Sequence, residues 1–311
     1  MSGTLELRLL ATFEKVATRL SFTRAAAELA YAQSTVTAQV RTLEQDLGVE
    51  LFDRLGNRIR LTEAGERLLP YARRLLDLAD EARAAAVAPG EPSGHLTVGT
   101  IESLTSYRLP PLFELFHHRY PKVRLSLRTT IGDETLDALR RGVYDLGFLM
   151  EERTEHAGLE TVVLLPEPLA LVAAPGHPLA GRPLDTAELC GSTLLAVESG
   201  CAFRDLFEAE LDAAAEGEPV AFHEFGTVEA TKRAAATGLG IALLPEVTVA
   251  DALAAGTLRR LDWRPSFTLR SQLAWRAGKQ LTPAARLFVE RTRQLLREQR
   301  ASRPPAREAS P

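Results

Sequence analysis

Three short helical patterns follow one another near the start of this chain, and their spacing constrains the fold more than any other feature. The first runs over 5–20, with apolar residues at i, i+3 or i+4, and i+7. Ser21 is a good N-cap for the second, which is expected to end near Ala30. The third repeats apolar residues at 4-3-4 spacing, at Val36, Val40, Leu43 and Leu47. These patterns predict a three-helix domain whose third helix buries one face.

The opposite face of the third helix is small and polar, which is unusual for a helix face without a partner. At 100° per residue this face carries Ser34, Ala38, Arg41 and Gln45, with Thr35 and Thr42 on its flanks. Two short helices joined by a tight turn, the second offering small polar groups and an arginine, suit insertion into the major groove of DNA. Residues 50–62 then predict a two-stranded wing with Gly56-Asn57 as its turn. The alternative is a generic three-helix subdomain, which leaves the polar face unexplained.

Nine side chains in this winged helix-turn-helix are candidates for contacts to DNA. Arg41 is expected to meet a base edge or a phosphate, and Ala38 can offer only a methyl contact, for instance to thymine. Arg54 and Arg58 are expected at phosphates or in the minor groove. The full set is Gln33, Ser34, Thr35, Thr37, Ala38, Arg41, Thr42, Arg54 and Arg58. For any one of them, a purely solvated role is an open alternative.

Overall charge gives no support to nucleic-acid binding. The chain of 311 residues carries a net charge of −4, and residues 1–90 contain 12 Lys and Arg against 12 Asp and Glu. Affinity for DNA would therefore depend on a few placed cations, doubled by dimerisation, rather than on a basic surface.

Several classes of protein are disfavoured by what the sequence lacks. It shows no nucleophile–base pair, phosphate-cradling loop or His-Glu-x-x-His motif, so no enzymatic activity, cofactor or metal is expected. The two cysteines are too few for a disulfide scaffold. No secretory signal and no apolar run of about 18 residues is visible, so the expectation is a cytoplasmic protein without a membrane partner.

Beyond the winged domain, assigned to 1–61, a long helix is predicted over 62–88. Its seam has 4-3-4-3-4 spacing and predicts coiled-coil-like pairing of two chains, through Leu68, Ala72, Leu75, Ala79, Ala82 and Ala86. Pro70 is expected to bend this helix near Glu66. A Pro- and Gly-rich hinge follows at 89–94, and the tail at 301–311 is expected to be disordered.

Strand and helix patterns alternate over 95–300, which predicts an α/β domain with mostly parallel sheets. Strands are predicted at 96–100, 123–130, 145–150, 160–165, 169–174, 193–197, 220–225, 240–244, 257–261 and 269–275. Helices are predicted at 109–119, 134–141, 202–214, 228–237, 247–254 and 283–299.

Several sequence motifs follow one another in order along the chain. In the first domain they are Gln33-Ser34-x-Val36-Thr37-x-Gln39-Val40-x-x-Leu43-Glu44, Leu51-Phe52-Asp53-Arg54 and Leu61-Thr62-Glu63-Ala64-Gly65. In the second half they are Leu96-Thr97-Val98-Gly99-Thr100, Arg119-Tyr120-Pro121-x-Val123, Leu139-x-x-Gly142-x-Tyr144-Asp145-Leu146, and the run from Thr237 to Pro245. Together these motifs resemble the LysR-type bacterial transcription regulators over essentially the whole chain.

The resemblance implies an effector domain of two Rossmann-like lobes with a small-molecule cleft, of the type 2 periplasmic-binding-protein kind. Lobe I would comprise about 95–166 and 265–300, and lobe II about 167–264. The chain departs from the family at Ala32, where members often place Ser or Thr as the N-cap of the recognition helix. A missing cap costs about 1 kcal/mol, so Gln33 or Ser34 compensates or the helix start is loose until DNA binds.

Ligands of open α/β sheets bind beyond the carboxyl ends of strands, which directs attention to the residues that follow the predicted strands. The candidates for effector binding are Thr100, Glu102, Ser103, Thr129, Thr130, Gly200, Cys201, Phe203 and Thr227. Hydroxyls and amides at helix N-termini suit a small anion, although ordinary N-capping is the alternative for Ser103 and Thr227. Glu102 opposes an anion, and it either points out or binds an amine or a metal.

Cys201 lies in the loop where a few members of the family sense peroxide or thiol reagents, and a thiol of low pKa is plausible at a helix N-terminus. Cys190 is a poor resolving partner because it belongs to a different element, so a quiet cleft-lining thiol is favoured. His117 and His118 are interpreted as a solvated last turn of a helix rather than a metal site.

The sequence therefore predicts a ligand-responsive transcription regulator that binds a pseudo-palindromic promoter site as a dimer or tetramer. Its partners would be double-stranded promoter DNA, a small-molecule effector for which an anion is one candidate, and RNA polymerase if it activates. One rival interpretation is a transporter's solute-binding protein, which would need a signal peptide or a lipid anchor that the sequence does not show. The other is an enzyme on the same two-lobe fold, for which the sequence shows no catalytic groups.

Overall fold

The computed structural model describes residues 5–55, 58–86, 91–215 and 222–301. The chain forms two compact units: unit 1 comprises 1–91 with 141–143, and unit 2 comprises 92–140 with 144–311. The predicted fold class is confirmed, with a winged helix-turn-helix and a long helix in unit 1 and an α/β architecture in unit 2.

Unit 1 begins with the three predicted helices, α1 (Leu7–Arg19), α2 (Phe22–Leu29) and α3 (Gln33–Leu47). Their inward faces form one apolar core, in which Phe52 packs 5.5 Å from the ring of Phe13 and 5.8 Å from that of Phe22. Val36, Val40 and Leu43 are fully buried, as the apolar face of α3 predicts. Leu47 is exposed, so the prediction that it belongs to the buried face is wrong.

The helix ends follow the sequence in part. Ser21 caps α2 by accepting a hydrogen bond from the backbone N–H of Arg24 at 3.3 Å. Ala32 is the N-cap of α3, and within the described part of unit 1 no side chain caps that helix. Neither Gln33 nor Ser34 therefore supplies the missing cap.

The predicted wing is confirmed as two antiparallel strands, β1 (Phe52–Leu55) and β2 (Arg58–Leu61). Its predicted turn, Gly56-Asn57, lies outside the described residues. The carboxylate of Glu44 accepts the backbone N–H of Leu51 at 2.8 Å and so fixes the approach from α3 to the wing.

The long helix α4 runs over Glu63–Ala86 with Pro70 inside it. Thr62 caps its start by accepting the N–H of Gly65 at 3.1 Å. A side chain at Gly65 would collide with the main chain, because a Cβ there would lie 2.3 Å from the carbonyl oxygen of Leu51. This glycine is therefore required for close packing of α4 on the segment that precedes the wing.

The predicted pairing seam of α4 is wrong at its first two members, whereas its third member, Leu75, is exposed. Leu68 packs against the core of unit 1 and Ala72 is fully buried in it, so neither is available to a second chain. Among the side chains of α4 that the structure describes, the large apolar ones left exposed are Tyr71, Leu75 and Leu78, at 60%, 37% and 59% of their full accessible area. These three residues, spaced 4-3, are called the exposed stripe below.

Unit 2 contains two five-stranded sheets. The first has the order β4-β3-β5-β12-β6, built from β3 (Gly94–Thr100), β4 (Val123–Thr129), β5 (Leu146–Glu151), β6 (Leu159–Glu167) and β12 (Leu269–Arg276). The second has the order β11-β7-β10-β8-β9, built from β7 (Leu169–Ala173), β8 (Leu194–Ala196), β9 (Phe222–Glu224), β10 (Ile241–Pro245) and β11 (Arg259–Arg260).

All ten predicted strands are present, but the prediction of mostly parallel sheets is wrong. In each sheet two neighbouring pairs are parallel and two are antiparallel. In the first sheet β12 pairs antiparallel with both β5 and β6, and in the second β7 pairs antiparallel with both β10 and β11. The sheets are therefore mixed, with a separate apolar core on each.

Helices of unit 2 cover both sheets. They are α5 (Glu102–Tyr107), α6 (Pro110–Arg119), α7 (Gly132–Arg140), α8 (Thr186–Cys190), α9 (Ala202–Ala214), α10 (Val228–Ala236), α11 (Glu246–Ala254) and α12 (Pro283–Ala301). Six were predicted, whereas α5 and α8 are too short to show a helical period. Ala301, assigned to a disordered tail, belongs to α12, and the remainder of that tail lies outside the described residues.

Candidate nucleic-acid interface and ligand cavity

The polar face of α3 is exposed to solvent as a continuous surface. Six of the predicted DNA-contacting residues are exposed on it, namely Gln33, Ser34, Thr35, Ala38, Arg41 and Thr42. Thr37 is half-buried and donates its hydroxyl proton to the carbonyl of Gln33 at 2.9 Å, and Thr42 donates to Ala38 at 3.0 Å. The hydroxyls of Thr37 and Thr42 can therefore act toward a partner only as acceptors in this arrangement.

Two further residues of the DNA set cannot be placed. The side chains of Arg54 and Arg58 lie outside the described residues. Gln39, which belongs to the sequence motif of α3, is buried and accepts the hydroxyl of Thr12 at 2.5 Å. Its role is to join α3 to α1 rather than to face solvent.

Arg41 supplies the single positive side chain of α3. It borders a concavity of about 740 Å³ between the C-terminal half of α3 and the wing, which is also lined by Glu44, Glu50 and Asp53. Three carboxylates against one guanidinium make this concavity unfavourable for phosphate. Contacts to DNA are therefore expected from Arg41 toward the N-terminus of α3.

A small cavity of about 50 Å³ lies within unit 2 and is called the ligand cavity below. Six of the nine predicted effector residues line it: Glu102, Ser103, Thr129, Thr130, Cys201 and Phe203. The sequence missed ten other lining residues, which are Ile101, Ile131, Gly132, Leu149, Met150, Glu151, Val197, Glu198, Ala202 and Val228. The lining residues therefore come from the ends of strands in both sheets, as expected for this fold class.

Three predicted effector residues do not reach the ligand cavity. Thr100 is fully buried, with its hydroxyl oxygen 2.9 Å from that of Thr105. Thr227 caps α10 by accepting the N–H of Ala230 at 3.1 Å, which is the ordinary capping role that the sequence left open. Gly200 is exposed and donates its N–H to Asp205 at 3.2 Å.

Glu102 forms a contact between the two halves of unit 2, one built on the first sheet and the other on the second. Its carboxylate accepts the backbone N–H groups of Val228 at 2.9 Å and Glu229 at 3.3 Å, at the N-terminus of α10. The positive end of that helix is therefore already occupied by an anion of the chain itself. The carboxylate of Glu102 therefore does not point out to solvent, and its hydrogen bonds to α10 leave it unavailable to an amine or a metal.

A second polar contact reinforces the same junction. The hydroxyl of Tyr107 donates to Glu229 at 3.1 Å, and the ammonium of Lys232 lies 2.6 Å from Glu229 and 2.8 Å from the Tyr107 oxygen. Hydrogen bonds from Lys232 and Arg233 hold the pKa of Glu229 down, at about 2. Burial acts to lower the pKa of Lys232, but hydrogen bonds with Glu229 and Tyr107 outweigh it and raise that pKa.

The structure does not support a reactive Cys201. Burial raises the pKa of its thiol to about 12, and the nearby carboxylate of Glu198 adds to the rise. Backbone amides of Phe203 and Arg204 oppose that rise without balancing it. The alternative of a thiol with a low pKa is therefore disfavoured, and the quiet cavity-lining thiol that the sequence favours stays the prediction.

No metal site was predicted at His117 and His118, and both lie exposed in the last turn of α6. Over the described ranges, no group of three or more His, Cys, Asp and Glu is arranged to hold a metal ion. Within the same ranges, no helix is both long and apolar enough to cross a membrane.

Glu151 at the end of β5 is the most unusual acid of the ligand cavity. Its side chain is only 16% exposed, and burial raises its pKa in spite of the opposing charges of His156 and Arg153. Nε2 of the fully buried His156 lies 3.9 Å from its carboxylate, which is beyond hydrogen-bonding distance. Both ring nitrogens of His156 lack a hydrogen-bond partner among the described residues.

A winged helix-turn-helix with a polar outer face, joined in one chain to a two-sheet α/β unit with an internal cavity, defines a DNA-binding protein with a ligand domain. Two family models match in that order. Residues 7–66 match the bacterial regulatory helix-turn-helix protein of the lysR family, and residues 89–297 match the LysR substrate binding domain. The chain belongs to the LysR family of transcriptional regulators: it is a ligand-responsive DNA-binding regulator and not an enzyme.

Individual relatives agree along the full length. The HTH-type transcriptional regulator YwqM of Bacillus subtilis is 37% identical over 292 residues, covering 93% of this chain and 99% of that protein. Among solved structures, a full-length OxyR variant from Pseudomonas aeruginosa is 26% identical with a TM-score of 0.76, covering 95% of each chain. Full-length CbnR complexed with its target DNA is 26% identical with a TM-score of 0.62, covering 94% of this chain and all of that one.

Proposed function

We propose that α3 reads a pseudo-palindromic promoter site as part of a dimer or tetramer, and that a small molecule in the ligand cavity controls this binding. The main support for this proposal is the exposed polar face of α3, on which Arg41 is the single cation. Arg41 can donate two parallel hydrogen bonds to a guanine, and Ser34, Thr35 and Ala38 lie on the same face for smaller contacts. Such a regulator acts on the chromosome, and we therefore assign it to the cytoplasm.

Self-association would supply the second half-site contact. The exposed stripe on α4 offers two large aliphatic side chains and a tyrosine at coiled-coil spacing, and pairing of two such stripes would remove them from water. A two-fold axis through that contact would present two α3 helices to a symmetric site. If the outcome is activation, RNA polymerase is a further partner.

Control by a ligand would act through the contacts that join the two halves of unit 2. Glu102 and Tyr107 each bond to the first turns of α10, and residues 101–103 also line the ligand cavity. A molecule bound there has different contacts in states with the halves together or apart, which is the requirement for shifting an equilibrium between them. The anion expected from the hydroxyl-rich strand ends is disfavoured, because the cavity lining carries Glu102, Glu151 and Glu198.

The direct test is to sequence the genomic DNA fragments that the purified full chain retains. We expect one enriched pseudo-palindromic pattern, and we expect Arg41→Ala to lose that enrichment. Arg293→Ala, which removes an exposed arginine of α12, is the matched control and should retain the pattern. Enrichment that is identical with Arg41→Ala would remove α3 from the proposed interface.

A further inference from the structure

The charges around the ligand cavity are one-sided. Its lining includes the carboxylates of Glu102, Glu151 and Glu198, and among the described residues that line it there is no Lys, Arg or His. Such a lining has a negative potential that a low-dielectric wall strengthens. An anionic ligand entering it would meet repulsion unless a positive group compensated.

Helix N-termini are the usual compensating groups, and those at this cavity already face acids of the chain. Glu102 accepts the first N–H groups of α10. Asp205 in the first turn of α9 accepts the N–H of Gly200 just before that helix. At the start of α7, an oxygen of Glu151 lies 2.8 Å from the position that a Cβ on Gly132 would take. The positive end of α10 is therefore already occupied by an acid of the chain, and carboxylates of the chain lie close to the starts of α9 and α7.

Two of the three lining carboxylates have no cation of their own. In the described part of the chain, neither Glu151 nor Glu198 forms an ion pair with Lys or Arg or accepts a hydrogen bond to its carboxylate. Glu151 is largely buried, and the charged or titratable groups that act on it are His156, Arg153 and Asp133. His156 is wholly buried, has unpartnered ring nitrogens and faces this carboxylate without bonding to it. Buried carboxylates are normally paired, whereas Glu151 has only the start of α7, His156 and Arg153 near it and forms no ion pair with Lys or Arg in the described part of the chain.

We propose that the ligand cavity binds a small organic cation, a protonated amine with a short apolar body, whose charge is held by Glu151 and Glu198. The inference rests on the proposed ligand control of unit 2. The apolar body would lie against Ile101, Ile131, Met150, Val197, Phe203 and Val228. A cavity of about 50 Å³ has room for roughly four non-hydrogen atoms, since about one probe sphere of 10–15 Å³ holds one water.

Three probes with one carbon skeleton separate charge from shape: n-propylamine hydrochloride, n-propanol and sodium propionate, each titrated to about 50 mM with the full chain near pH 7.5 and at constant ionic strength. Binding is followed by thermal shift and by calorimetry. We expect a saturable rise in melting temperature with propylamine alone. Glu151→Gln and Glu198→Gln should each weaken propylamine binding by about tenfold or more, and Glu290→Gln, at an exposed position of α12, should leave it unchanged.

The proposal is overturned if propionate gives the saturable response, if propylamine binding survives in the Glu151→Gln/Glu198→Gln double variant, or if propylamine shows no saturable response at the highest concentration. Melting of the variants without a probe verifies that they fold, since Glu→Gln preserves shape. Failure of the proposed regulatory function would be seen separately, in the retention of DNA fragments, which involves α3 and no probe. Binding of propanol or propionate would exclude the cation and leave ligand control in place.

Discussion

The exposed stripe of α4 gives the most quantitative prediction. Leu78 is 59% exposed and does not pack against the apolar core of unit 1. Leu78→Asp replaces its apolar surface by a charge, so a dimer that buries this stripe should dissociate. The winged helix-turn-helix of unit 1 should remain folded, because Leu78 does not belong to the apolar core that contains Ala72.

Complete burial of a leucine side chain contributes about 1.5–3 kcal/mol. The exposed fraction of Leu78 therefore corresponds to about 1–2 kcal/mol for one protomer. A two-fold contact loses this contribution twice, so Leu78→Asp should cost about 2–4 kcal/mol, or roughly 30- to 700-fold in the dimer dissociation constant. Leu75, at 37% exposure, should show the smaller effect as Leu75→Asp.

Sedimentation equilibrium of the full chain over nanomolar to micromolar concentrations measures these dissociation constants. The matched control is Leu239→Asp, since Leu239 is a leucine of similar exposure, 53%, in unit 2. We expect the order Leu78→Asp, then Leu75→Asp, then no change for Leu239→Asp. An unchanged dimer in Leu78→Asp would show that the stripe is not the contact surface.

Three further predictions concern other parts of the chain. Gly65→Ala should destabilise unit 1 by about 1–3 kcal/mol in urea unfolding, because its Cβ would meet the carbonyl of Leu51, whereas Gly176→Ala, with open space around it, should be nearly neutral. Glu229→Gln should lower the free energy of unfolding by about 1 kcal/mol at pH 7, a value well below the full effect of the pKa shift because the side chain is 41% exposed. A depressed pKa stabilises above the unfolded value of 4.5 and loses that effect as pH falls toward about 2, so the difference from the unsubstituted chain should shrink below pH 4.5; a constant difference would contradict it. Cys201, with a pKa near 12 instead of 9.0, should carry about a thousandth of the usual thiolate and react correspondingly slowly with iodoacetamide at pH 8, and rapid labelling would show a reactive thiol.

Periodicity in the sequence was sufficient for most of the fold. Helices α1, α2 and α3 of unit 1 and all ten strands of unit 2 carry clear apolar patterns, and each of these elements is present. The five- and six-residue helices α8 and α5 span fewer than two turns, so no period could reveal them. Sheet polarity was beyond the pattern as well, because a strand buried on both faces reads the same whether its neighbour is parallel or antiparallel.

The pairing surface of α4 shows what a heptad pattern leaves undetermined. Two stripes with 4-3 spacing meet at Leu75, one arriving through Leu68 and Ala72 and one running from Tyr71 to Leu78. The pattern cannot say which stripe packs on the chain's own α1, and only the fold shows that the first one does.

The sequence predicted part of the lining of the ligand cavity. The rule that ligands bind beyond strand ends led to Ser103, Thr129 and Cys201, and it applies equally to Glu151 and Glu198, each of which follows a predicted strand directly. The sequence alone does not single out these acids, because the hydroxyls beside them favour an anion. The three-dimensional pairing of Glu102 with the start of α10 could not be read from a separation of 126 residues.

The central claim, that α3 reads base sequence, is tested most directly by comparing affinities for a retained fragment and for random DNA of equal length. Arg41→Ala should weaken binding to the retained fragment by about 1–3 kcal/mol, roughly 5- to 150-fold, and leave binding to random DNA nearly unchanged at the same salt concentration. Equal losses on both DNAs would show that Arg41 touches only phosphate and would contradict base reading by this helix.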